Sequence, residues 1–115
     1  MPDQSPARIA DGLHDLARAL REGPQLGPEA QNALAELIDE LGAAVSTNAA
    51  PPAEVVHVAE TTALLVKALK QRHETTGLAT ARDRFEGAVI RAEATAPVTA
   101  GVARRVLDAL ANLGI

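Results

Sequence analysis

The sequence contains no cysteine, no tryptophan and no tyrosine, and Phe85 is its only aromatic residue. Without cysteine there is no disulfide, no thiol nucleophile and no cysteine-ligated zinc, a pattern compatible with a reducing compartment. The scarcity of aromatic rings removes the stacking platforms that hold single-stranded nucleic acids. Lys and Arg number 11 against 15 Asp and Glu, a formal charge of −4, so the clustered cations that neutralise phosphates are missing as well. These absences predict a protein that binds no nucleic acid. No run approaches the roughly 18 apolar residues of a membrane span, and the opening MPDQSPARIADG has no basic stretch leading into an apolar one. The expectation is a soluble, cytoplasmic protein with no membrane contact.

What is present is 115 residues, 47% apolar and 23% charged, which suits one globular domain over 1–115. Its core must be built from Leu, Val, Ile and many Ala, and small side chains let helices approach closely. Proline suits the first turn of a helix and glycine the position just past its end. Ser5-Pro6 therefore opens a segment with Ile9, Leu13, Leu16 and Leu20 at helical spacing, closed by Gly23-Pro24. Gly27-Pro28-Glu29 opens a second, with Ala30, Leu34, Leu37, Ile38, Leu41 and Val45 on one face. The short link between them predicts a helical hairpin over 6–45.

The stretch STNAAPPAE, 46–54, reads as a linker. Pro52 then starts an inserted helix over 52–76, striped by Val55, Val58, Ala59, Leu65, Val66 and Leu69. Beyond it the apolar phase slips around Gly77. Thr80 to Asp83 resembles a capping box and predicts a fourth helix from there to about Thr95, with one continuous helix over 52–95 as the alternative. Pro97 opens the last helix, with Val98, Val102, Val106, Leu110 and Leu113 on one face. Residues 78–115 thus form a C-terminal helix pair. The predicted fold class is all-α: four or five antiparallel amphipathic helices forming a bundle that opens with a hairpin.

The chain closes on Leu-Gly-Ile. If Gly114 takes the left-handed conformation one place past the helix, Ile115 folds back onto Leu110 in a Schellman ending. Leu110, Gly114 and Ile115 are the predicted helix stop.

Few residues suggest chemistry. Glu54 and His57 have the Glu-x-x-His spacing of di-iron bundles, and Asp11 with His14 is a variant of it. At about 100° per residue His57 and Asp11 fall away from the apolar stripes, where a solvated face needs no metal. His14 and His73 only imitate the pattern of histidine phosphotransfer domains. The glycines are scattered singly, so there is no phosphate loop. Glu36, Asp39 and Glu40 read as the wet face of the second helix, and Arg104 with Asp108 as an i,i+4 pair. Helix 3 is the exception, because Val56 and Leu64 lie outside its main stripe, among Glu60, His57 and Lys67. Two large apolar residues on one rim mark a candidate interface.

The ending GVARRVLDALANLGI and the opening RIADGLHDLARAL with PEAQNALAELIDELGAAV are similar to the DUF4404 family, short bacterial proteins carrying a domain of unknown function. Members open with a Leu-rich hairpin containing a Leu-His pair, here Leu13-His14, and close on a motif matched by Leu110-Ala111-Asn112-Leu113-Gly114-Ile115. The Arg-Phe-Glu and His-Pro that the family often carries upstream appear as Arg91-Ala92-Glu93 and Ala96-Pro97, without the Phe and the His. The resemblance covers 6–45 and 78–115 and leaves about 46–77 as an extra segment. It implies an all-helical fold and supplies no catalytic residue or cofactor. The expectation is a non-enzymatic interaction or scaffold module, a homo-oligomer, with no cofactor and no metal. A small-ligand or metal-binding bundle is the alternative.

Overall fold

The computed structural model describes residues 6–22, 27–47, 53–70 and 75–112. Five helices account for nearly all of them: α1 (Pro6–Glu22), α2 (Pro28–Ser46), α3 (Ala53–Lys70), α4 (Thr75–Thr95) and α5 (Pro97–Asn112). Among the described residues no strand occurs.

Prolines set three of the starts. Pro6, Pro28 and Pro97 each occupy a first helical position, where the missing N–H would have had no helical acceptor. Gly27 precedes α2 in extended backbone, and its carbonyl accepts from the Gln31 amide at 2.9 Å. At the other end, Ser46 and Thr47 donate their hydroxyls to the carbonyls of Ala43 and Ala44 at 2.8 and 2.7 Å, which satisfies acceptors that the last turn leaves over. Between α4 and α5 a single residue, Ala96, leaves the helical conformation, because the residue before a proline is pushed out of the α region. Its amide still donates to Ala92, and its carbonyl receives the Ala100 amide.

Each helix has two principal neighbours. α1 packs most extensively on α2, α3 on α4, α5 bridges α2 and α4, and the lightest of the five contacts is α1 on α3. The order α1–α2–α5–α4–α3 therefore closes into a ring. Its centre holds Phe85, fully buried, with Leu13, Leu34, Ile38, Leu41, Leu65, Leu69 and Leu110. Alanines at 17, 35, 88, 92, 100 and 103 are buried between the helices, where their small side chains permit close approach.

Several boundaries differ from the sequence pattern. α3 and α4 are separate helices, and α4 begins at Thr75, with Gly77 and the Thr80–Asp83 stretch inside it. A glycine in a helix interior costs about 1 kcal/mol relative to alanine, too little to stop a helix that buries Ala81, Phe85, Ala88, Val89 and Ala92. In α5 the buried face is Thr99, Ala100, Ala103, Val106 and Leu110. Val98, placed on the stripe by its spacing, is 71% exposed. Leu110 is fully buried, whereas Gly114 and Ile115 of the proposed helix stop lie outside the described residues.

Candidate functional site

The two flanks of α1 are built differently. Toward α2, residue 42 is glycine, and a Cβ there would stand 3.2 Å from two imidazole atoms of His14 and 3.3 Å from the Ala10 carbonyl oxygen. The missing side chain lets the ring lie against the α2 backbone. There His14 Nδ1 donates to Asp39 Oδ1 at 2.7 Å, while Arg21 reaches the other carboxylate oxygen at 3.0 Å. Burial acts to raise the Asp39 carboxyl, but the hydrogen bonds from His14 and Arg21 and their charges outweigh it and hold the group below its ordinary value. Further along, the buried Gln31 side chain donates to the carbonyls of Leu20 and Arg21 at 2.9 and 3.3 Å. It ties the last turn of α1 to the first turn of α2.

Toward α3 the seam is lined largely by small and apolar residues. A groove of about 350 Å³ runs between Arg8, Ile9, Gly12 and Leu16 of α1 and Val56, Ala59 and Ala63 of α3, with Leu13 in its lining and Glu60 on its rim. A second hollow of about 310 Å³, lined by Leu16, Ala19, Ala63, Val66, Lys67 and Lys70, lies further along the same two helices. Small residues at 12, 59 and 63 leave the gap, and a Cβ added at Gly12 would meet nothing within 4 Å.

The candidate interface residues fall on and beside this groove. Leu64 is 44% exposed, and Val56 is half-buried in the groove wall. Thr61 and Thr62, both buried, donate their hydroxyls back to the carbonyls of His57 and Val58, which accounts for two polar residues inside the apolar face of α3.

The residues weighed for chemistry are dispersed. His57 is exposed and shares a hollow of about 480 Å³ with Glu54, Glu60 and Arg91. His14 turns to Asp39 on α2, and His73 lies outside the described residues. Among the described residues no three His, Asp or Glu side chains converge closely enough to hold a metal ion. Glu40 pairs with Arg105 of α5 at 2.7 Å, and Arg104 pairs with Glu93 of α4, in place of the partner Asp108 suggested by the i,i+4 spacing. Among the described residues no helix is long and apolar enough to cross a membrane.

Among the described residues the fold and these seams define an all-α protein whose five helices close in a ring, with an apolar groove along one seam. The chain belongs to the DUF4404 family, a domain of unknown function, whose model matches residues 31–115. The matched span begins inside α2, includes 46–77 and leaves α1 outside it. No curated protein and no solved structure matches the chain.

Proposed function

We propose that the protein is a non-enzymatic, cytoplasmic interaction module that associates with copies of itself through the outer face of α3. The observation that carries this reading is Leu64, a large apolar side chain 44% exposed beside a groove whose α3 wall is Val56, Ala59 and Ala63. Apolar surface gathered in one place on a small domain is a mark of association. A chain with one aromatic residue also has few large side chains to bury, so pooling apolar surface between copies adds stability.

Light scattering at micromolar concentration tests the reading. The expected result is a dimer or a larger even assembly, shifted to monomer by Leu64→Glu with Val56→Glu while helicity is retained. A monomeric unmutated protein, or an assembly untouched by the double substitution, overturns it. The small-ligand reading has the groove volume in its favour, about 350 Å³, within the range of small-molecule sites.

A further inference from the structure

The outer face of α3 is ordered by charge. Taken along the helix it offers Glu60, then Ala63 and Leu64, then Lys67, all exposed. Acid lies toward the N-terminal half, base toward the C-terminal half, and the apolar residues lie between. Glu60 and Lys67 are seven residues apart, about 10.5 Å along the axis, whereas residues three or four apart are the ones that meet on a helix surface.

Elsewhere several surface charges pair across seams: His14 and Arg21 with Asp39, Arg105 with Glu40, Arg104 with Glu93. Among the described residues, Glu60 and Lys67 take part in no ion pair with one another or with any other helix. The face that carries the exposed leucine thus also has flanking charges with no ion-pair partner among the described residues.

A second copy of α3 supplies both. We propose that two copies pair through α3 in antiparallel register, Glu60 of each against Lys67 of the other and Leu64 of each beside Ala63 of the other. The proposal rests on the self-association reading above and adds its geometry. A two-fold axis between residues 63 and 64 brings 60 to the height of 67 and 63 to the height of 64, so one register satisfies the charges and the packing together. The two-fold arrangement also makes the patch self-complementary, as a closed dimer requires. Ala63 leaves the space that a neighbouring leucine needs. A parallel arrangement would set Glu60 on Glu60 and Lys67 on Lys67, and like charges placed opposite one another oppose association.

Charge exchange tests the register, with the dimer dissociation constant measured by sedimentation at low salt. Glu60→Lys alone, and Lys67→Glu alone, each create two like-charge contacts per dimer and should weaken it by about tenfold or more. The double variant Glu60→Lys/Lys67→Glu should return to within about threefold of the unmutated protein, since both pairs are restored with their signs reversed. An equimolar mixture of the two single variants should form a heterodimer tighter than either homodimer. Both positions are exposed, so circular dichroism should show unchanged helicity. Single variants that leave the constant unchanged, or a double variant as weak as the singles, overturn the register while leaving association through Leu64 standing. A monomeric unmutated protein overturns both.

Discussion

The flank of α1 that meets α2 and the flank that meets α3 come from one helix, yet one is sealed and the other is open. On the α2 side three long polar side chains, His14, Arg21 and Gln31, cross the seam and end on specific acceptors. A glycine at 42 lets one of them lie flat. On the α3 side the facing residues include Gly12, Ala59 and Ala63, and a groove remains. Closure of a helix seam here depends less on apolar content than on whether side chains long enough to span it have somewhere to end.

Leu13 is 1% exposed and belongs to the core cluster as well as the groove lining. Leu13→Ala should cost about 2 to 5 kcal/mol, as truncation of a buried leucine does. Leu16, half-buried on the open flank, should cost less than about 1.5 kcal/mol when truncated. Urea unfolding of both variants decides the matter, because equal losses would mean that the α3 flank is as closely packed as the core.

A smaller effect comes from Asp39 and has a defined pH dependence. Its carboxyl is held below its ordinary value in the folded protein, burial being outweighed by the bonds and charges of His14 and Arg21. The folded state therefore binds that proton less readily than the unfolded chain. The stabilisation is complete above the unfolded value, roughly pH 4, and is lost as pH falls through the folded one. Asp39→Asn should lower stability at neutral pH by about 1 kcal/mol, the side chains being over one-third exposed and partly screened. The difference from the unmutated protein should shrink in acid. A difference independent of pH down to the acid transition would remove the carboxylate from the seam's energetics.

The smallest effect sharpens the role of residue 42. Gly42→Ala gains helix propensity, up to about 1 kcal/mol, but presses the new methyl group toward the His14 ring. With His14→Ala in place, the same substitution should be more favourable by about 0.5 kcal/mol or more, the coupling expected of residues in contact. Additive effects in thermal melts would mean that ring and backbone do not constrain one another.

Much of this architecture is legible in the sequence, and the parts that are not share a cause. Pro6, Pro28 and Pro97 mark helix starts because their chemistry is local, and the stripes through Leu34, Ile38, Leu41 and Val45 or Val55, Val58, Leu65 and Leu69 follow from helical periodicity. Val98 falls on the predicted stripe but not in the core, because the buried face of α5 is carried by Ala100 and Ala103, which a line drawn through the larger residues passes over. α4 runs through the Thr80–Asp83 stretch and begins at Thr75, with Leu78 of the added turn packed against the core, a tertiary contact that the local cap signal does not report. His14 with Asp39 and Gln31 with Leu20 join residues 25 and 11 positions apart, and no pattern within one helix reports such pairs. The groove is likewise a relation between α1 and α3. In the sequence it is visible only as Leu64 and Val56 lying outside the main stripe.

The absence of cysteine makes one measurement especially direct. A single Leu64→Cys substitution places the chain's only thiol next to the proposed two-fold axis, which would bring it near its copy on the partner; a disulfide needs Cα atoms roughly 4.4 to 6.8 Å apart. Ala33→Cys, on the exposed face of α2, serves as the control. Under mild oxidation at micromolar concentration, association through α3 predicts rapid formation of a covalent dimer at position 64 and slow formation, through random encounters only, at 33. Equal rates at the two positions would contradict it.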